Sequence, residues 1–411
     1  MERDRRLLRL GIIAIVGLIA ACGREEPPPA AEQPPEEAPA EDAPLKETPG
    51  APRASLEPET LRVLELPAQP SPHWVYVHDV NFDSMIDGRS YLVDGDSGQM
   101  LGMISTGYGG AGLVIGPENR ELYSIETYYS RGSRGDRTDV VSIYDPSTLT
   151  PVAEIEIPPK RAMTMPMVAN WQLTDDGRFL LVYNLTPASS VTVVNVADRS
   201  VVGEVESPGC ALTYPGPDRR FVMLCGDGRL LEIELDASGA VERRQRTERF
   251  FDPDADLLTE KAVRRGNTWY FISFKGDVYP LDMTDGLMFG EEWSLVDGAA
   301  RTDGWLPGGL QLAALHQGRG HLYVLMHQGG PGSHKDPGSE VWVVDVATRE
   351  LVKRLPLQQP ATSLQVSQDD TPLMYTVFIA VRGLEVYDAT SGEHLRTVPE
   401  VGLTPTLVLH P

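Results

Sequence analysis

Seven times after residue 60, a short apolar strand ends in Asp or Asn and runs directly into a turn of small residues. The copies are YLVDGDSG, SIYDPSTL, VVNVADRS, IELDASGA, YPLDMTDG, WVVDVATR and EVYDATSG, marked by Asp94, Asp145, Asn195, Asp236, Asp282, Asp345 and Asp388. Successive markers lie 51, 50, 41, 46, 63 and 43 residues apart. Between them the hydrophobic pattern has period two, with runs of Val, Ile, Leu and Tyr broken by Gly, Pro, Asp and Asn, and helical periodicity is nearly absent. A repeat of about 40 to 50 residues built only from strands and turns is what a propeller blade of four antiparallel strands requires. A β-sandwich needs no such repetition. The expected fold is therefore all-β, a seven-bladed β-propeller over residues 61–411.

A second recurring strand precedes each marker: HWVYVHD, RELYSIE, RFLLVYN, RRFVMLC, NTWYFIS, HLYVLMH and PLMYTVF. An innermost strand fits ahead of later copies as AGLVIGP, VANWQLT, CALTYPG, LQLAALH and TSLQVSQ. The first blade lacks one, because LPAQPSP precedes His73 and proline cannot donate to a ladder. The C-terminal TPTLVLHP has the right pattern, so the ring is expected to close by pairing the C-terminal strand with the N-terminal blade, which removes exposed edges. Gly95-Asp96-Ser97-Gly98 matches the tetrapeptide around many serine-protease nucleophiles, yet it occupies the tight connection between third and fourth strands. Ser97 is read as a turn residue, with glycine supplying positive φ and Asp or Ser capping the backbone. The Arg134-Gly135-Asp136 tripeptide is likewise read as part of a loop.

The other end of the chain points to an address. Arg3, Arg5, Arg6 and Arg9 precede an apolar run, Leu10 to Ala21, of 12 residues, which is a secretory signal and too short to span a bilayer. Leu18-Ile19-Ala20-Ala21-Cys22 resembles the bacterial lipobox, in which cleavage before the cysteine leaves it to carry acyl chains. The alternative is an ordinary signal peptide ending near a cysteine; the lipobox is preferred, since Ile19 is tolerated at its place. Residues 22–60 then read as a disordered Pro/Glu/Ala-rich tether: ten prolines and ten acidic side chains fall between 23 and 60, with too little apolar surface to offset chain entropy. The formal charge of −23 becomes −25 without residues 1–21. No basic stripe is available to neutralise phosphates, which argues against nucleic acid and fits an extracytoplasmic protein with cationic partners.

Candidate chemistry is sparse. The eight histidines, His73, His78, His316, His321, His327, His334, His394 and His410, form no close set at zinc-ligand spacing, so no metal site is expected. Gly107 to Gly112, GYGGAG, opens no helix and is read as a rim loop, not a dinucleotide fingerprint. The six tryptophans read as blade-packing or interface residues. Cys210 starts an inner strand and Cys225 ends the next, antiparallel one, which sets them side by side. In an oxidising compartment they are expected to form a disulfide contributing about 3 kcal/mol in the loop-entropy model. A redox-active pair is the weaker reading, because no Cys-x-x-Cys spacing lowers a thiol pKa.

RGSRGDRTDVVSIYDPSTLTPVAEIEIP, the Cys210 and Cys225 pair, RTDGWLPGGLQLAALH, GPGSHKDP and VSQDDTPLMYTV resemble the heavy subunit of the quinoprotein amine dehydrogenases, the methylamine and aromatic amine enzymes. GPGSHKDP is closer to the aromatic amine branch. The resemblance implies a seven-bladed scaffold in a periplasmic heterotetramer of two heavy and two light chains. The light subunit carries the cofactor, tryptophan tryptophylquinone, and the aspartate base; this chain would hold no cofactor and no catalytic residue and would be inactive alone. The implied reaction oxidises primary amines to aldehydes and passes electrons to a cupredoxin or cytochrome. The resemblance places Tyr108 in the substrate channel, where the family typically has phenylalanine. The lipid anchor at Cys22 departs from the freely soluble family members and implies a membrane-held complex. A competing expectation is a tethered propeller lipoprotein that serves as a non-catalytic binding or assembly module.

Overall fold

The computed structural model describes residues 64–109, 112–163 and 165–411. The expected signal segment, tether and Cys22 lie outside the described residues. Arg62–Pro411 form one compact unit, and its strands assemble into seven antiparallel sheets, one per marker residue. Among the described residues no helix is long and apolar enough to cross a membrane.

Blade 2 shows the common plan. Gly112–Ile115, Leu122–Tyr129, Arg137–Asp145 and Thr150–Ile157 follow one another outward from the ring centre, each antiparallel to the last. The middle two strands carry buried residues at nearly every position, while the outermost is exposed over most of its length and buries only Ile155 and Ile157. That burial gradient follows from stacking blades face to face. The five apolar clusters each combine residues from adjacent blades, such as Ile125, Val141 and Ile155 of blade 2 with Trp171, Leu180 and Val194 of blade 3. No blade buries its own faces alone, so the ring is the smallest unit that closes the core.

The repeated marker has a local cause. Every one of the seven side chains accepts the backbone N–H two residues further on: Asp94 from Asp96, Asp145 from Ser147, Asn195 from Ala197, Asp236 from Ser238, Asp282 from Thr284, Asp345 from Ala347 and Asp388 from Thr390, at 2.7 to 3.1 Å. These Asx turns redirect the chain from third to fourth strand. Ser97 is part of the first, its hydroxyl donating to Asp94 at 2.6 Å, with Gly98 at φ +74°. The tetrapeptide is a turn. Arg134–Asp136 lie in a loop pinned by Ser130 N–H to the Asp136 carbonyl, 3.0 Å.

Blade 1 is completed by the end of the chain. Pro405–Leu409 pair antiparallel with Trp74–Asp79, matching Tyr76 to Leu409 and Val77 to Val408. Blades 5 and 6 are less regular. The inner strand of blade 5 is only Val263–Arg265, and the 63-residue interval between Asp282 and Asp345 accommodates Trp293–Ser294, a helical turn at Gly298–Thr302 and Trp305–Pro307 before the inner strand Ala313–His316. Cys210 and Cys225 are direct cross-strand partners in blade 4 and are joined by a disulfide.

Candidate functional site

Tyr108 lies in the link that carries the chain from the outer strand of blade 1, Met100–Ser105, to the inner strand of blade 2, Gly112–Ile115. Gly107 and Gly109 adopt φ of +71° and +64°, values that favour glycine and let the chain turn tightly on either side of the tyrosine. The Tyr108 N–H donates to the Thr127 carbonyl and the Gly109 N–H to the Met85 carbonyl, both at 2.9 Å. The half-buried Tyr108 ring meets Tyr129 edge-on, centroids 5.2 Å apart.

Beneath this loop lies a buried polar network. Arg161 is 1 % exposed and sends its guanidinium toward the loop, donating to the Tyr108 carbonyl at 2.9 Å and the Gly109 carbonyl at 3.2 Å. Burial pulls its pKa down to about 10, against the opposing pull of Asp139. Glu126, fully buried, accepts from Ser142 at 2.7 Å, from Tyr128 at 2.5 Å and from Tyr144 at 3.2 Å. Burial pushes its carboxyl above the usual range although these hydroxyls favour the charged form. Neither residue stands out in sequence: Arg161 follows Lys160 in a proline-flanked link that reads as solvated, and Glu126 sits in an otherwise apolar strand.

The histidines are distributed around the ring in structural roles. His78 Nδ1 bonds Ser90 at 2.8 Å, His316 Nε2 the Asp369 carbonyl at 2.9 Å, His327 Nε2 Ser333 at 2.8 Å and His394 Nε2 Glu385 at 2.6 Å. Among the described residues no group of three or more His, Cys, Asp or Glu is arranged to hold a metal ion. Trp305 and Trp342 pack with ring centroids 5.4 Å apart, and the Arg354 guanidinium covers both at 4.5 and 4.7 Å.

Cavities of about 410 Å³ open at two places among the described residues. The first takes residues from the inner strands of blades 1, 3, 5, 6 and 7. Gln311, Gln317 and Gln368 reach into it, but their amides are occupied in tying blades together: Gln317 donates to the Arg264 carbonyl of blade 5 at 2.6 Å and Gln368 to the Leu315 carbonyl of blade 6 at 3.1 Å, while Gln311 reaches past blade 7 to the N–H and carbonyl of Val408 in blade 1, both 2.8 Å. The second is a cleft between blades 5 and 6, walled by Phe274, Trp305, Leu306 and His334. The Phe274 and His334 rings stack there at 3.8 Å.

Residues 72–410, the whole ring with the Tyr108 loop, match the family model described as methylamine dehydrogenase heavy chain. The chain belongs to the methylamine dehydrogenase heavy-chain family. The heavy chain of Paracoccus versutus is 31 % identical over 353 residues, covering 84 % of this chain and 81 % of that one. The heavy chain of Methylophilus methylotrophus is 29 % identical over 359 residues, 86 % and 87 % of the respective chains. Among solved structures, a protein of unknown function from Desulfotomaculum acetoxidans DSM 771 superposes with TM-score 0.57 at 13 % identity, over 82 % of this chain and 99 % of that one. Dihydro-heme d1 dehydrogenase NirN superposes with TM-score 0.53 at 19 % identity, over 84 % and 77 %. At such identities these two bear on the fold alone. The heavy-chain relatives bear out the amine dehydrogenase resemblance at the level of the family.

Proposed function

We propose that this chain is the scaffold subunit of a periplasmic amine dehydrogenase that converts primary amines to aldehydes, with tryptophan tryptophylquinone on a separate light subunit. The match to heavy chains across residues 72–410 carries this reading. The Trp305–Trp342 pair of this chain supports it from the other side. A quinone that oxidises an amine must meet substrate, whereas Trp342 is 2 % exposed, donates its indole N–H to Glu340 at 2.9 Å, and lies with Trp305 under Arg354. That pair fits a structural stack, not a reaction centre.

In the assembled enzyme the light subunit would hold the quinone, which would supply a two-electron oxidant for the amine, the overall reaction consuming water and giving aldehyde and ammonia. This chain contributes shape. Tyr108, on its glycine-flanked link, lines the substrate channel and excludes water beside the incoming amine, where its ring selects by size. The tetramer holds two heavy and two light chains. A cupredoxin or cytochrome collects the electrons, and lipidated Cys22 keeps the complex at the membrane through the 22–60 tether.

Purification of the mature protein from its native membrane tests the proposal. The expected result is a small quinone-bearing polypeptide in the same fraction, amine-dependent dye reduction, and an acylated Cys22 by mass spectrometry. A chain that purifies alone and reduces no dye would replace this reading with that of a tethered binding module.

A further inference from the structure

We propose that Arg161 is a positioning residue for the channel mouth: its guanidinium holds the Tyr108–Gly109 backbone and thereby sets where the Tyr108 ring stands. The inference rests on the reading of Tyr108 as a channel residue and deepens it. A buried arginine is costly unless its donors are satisfied, so the direction in which it spends them is informative.

Here the fork is turned toward carbonyls. Nη2 donates to the carbonyls of Tyr108 and Gly109, Nη1 to the Ala162 carbonyl at 3.4 Å, and Nε to the Thr127 hydroxyl at 2.6 Å. The balancing carboxylate, fully buried Asp139, accepts instead from the Arg161 backbone N–H at 3.2 Å, from Thr127 at 2.7 Å, and from Arg137 in a two-pronged pair at 2.7 and 2.8 Å. Arg137 in turn donates to the Arg161 carbonyl at 3.1 Å. The guanidinium therefore joins the blade 1 to 2 link, the strand Leu122–Tyr129 of blade 2 and the blade 2 to 3 link, and Asp139 of the next strand holds the Arg161 backbone.

Two consecutive carbonyls reach one guanidinium nitrogen because Gly107 and Gly109 bend the chain on both sides of Tyr108. The same bend leaves the Tyr108 ring against Tyr129. An ammonium lacks the rigid fork and does not hold Thr127 and both carbonyls at once, so lysine is not an equivalent replacement.

Two measurements on Arg161→Gln and Arg161→Lys decide the matter, with Arg220→Gln as control. Arg220 is the comparable buried arginine of blade 4, donating to the carbonyls of Met283 at 2.7 Å and Thr284 at 3.1 Å. In the full chain, amide exchange at Tyr108 and Gly109 is expected to accelerate about tenfold in Arg161→Gln and less in Arg161→Lys, and to stay unchanged in the control. In the complex with the light subunit, the KM for a bulky primary amine relative to methylamine is expected to shift about tenfold, with kcat for methylamine held within about twofold. Adding Tyr108→Ala to Arg161→Gln then changes that ratio no further. Unchanged exchange at Tyr108 and Gly109, or loosened amides with unaltered discrimination, overturns the positioning role. If the wild-type complex oxidises no amine, the functional reading fails and the positioning role with it. Should Arg161→Gln not fold, Arg161→Lys, which keeps the charge and loses the fork, is judged by the same two readouts.

Discussion

Single residues in this protein act mainly by fixing backbone. Cys210 and Cys225 tie the inner strand of blade 4 to its neighbour across the loop Ala211–Leu224, a sequence separation of 15. Cross-linking so short a loop restricts the unfolded chain modestly, and replacing both cysteines with alanine is expected to cost about 3 kcal/mol. Urea unfolding of the oxidised wild type and the double variant checks this; equal midpoints would mean that blade packing alone holds the two strands together. Tyr108 differs, since what matters is where its ring stands. Its proposed place in a substrate channel rests on resemblance to a family and on no local pattern, because one aromatic residue in a glycine-rich loop carries no signature. Arg161 carried even less signal: nothing in Lys160-Arg161-Ala162 reveals that the second cation is buried and turned toward the tyrosine loop.

At the level of the strand and turn, the chain was far more legible, since each third strand must reverse tightly and Asp or Asn does so by accepting a nearby N–H. The repeat thus recorded a physical need seven times over. It blurred where that need was met differently. The three-residue inner strand of blade 5, Val-Arg-Arg, has no alternation to detect, and the helical turn after Asp297, whose carboxylate caps the Ala300 N–H at 2.7 Å, stretched one interval without adding a blade. The turns also titrate. Asp145 and Asp236 are held below the usual carboxylate range chiefly by the hydroxyls of Ser147 and Ser238, and Asp282 and Asp345 chiefly by the N–H groups of Thr284 and Thr348. A depressed folded value stabilises the fold above the unfolded pKa of about 3.9, and the contribution disappears as pH falls through the folded value. Blade 3 already uses Asn195, which makes the same turn without titrating. Replacing those four aspartates with asparagine is therefore expected to flatten the fall of Tm between about pH 4 and pH 2. Scanning calorimetry of the two proteins would show it, and parallel curves would place the acid sensitivity elsewhere.

For the ring as a whole, closure falls at the seam where the strands Trp74–Asp79 and Pro405–Leu409 pair in blade 1. At one end of the strand Trp74–Asp79, buried Asp79 accepts from Leu403 N–H at 2.7 Å and from the N–H and hydroxyl of Thr404 at 3.0 and 2.9 Å, locking the C-terminal strand in place. At the other end, the His73 ring bridges Asp96 of blade 1, 2.8 Å from Nδ1, and Asp369 of blade 7, 3.2 Å from Nε2. Both ring nitrogens face carboxylates, and only the doubly protonated imidazolium can donate to both. Burial works against that charge, yet Asp96 and Asp369 outweigh it and raise the His73 pKa, while Asp369 itself sits well below the usual range. Nearby His410, lowered by burial and bonded to the Pro72 carbonyl at 2.6 Å, adds a repulsion only if it also charges. A raised folded pKa makes the clamp fully effective below the unfolded value of about 6.5, with the contribution lost as pH climbs through the folded value. His73→Gln keeps one hydrogen bond and cannot charge. Its deficit relative to wild type is therefore expected to be about 1 kcal/mol at pH 6 and to shrink toward zero by about pH 9, read from denaturant midpoints across that range. A deficit independent of pH would show that the seam is held by packing and by the Tyr375 hydroxyl on the His73 carbonyl, 2.8 Å, without help from the imidazolium.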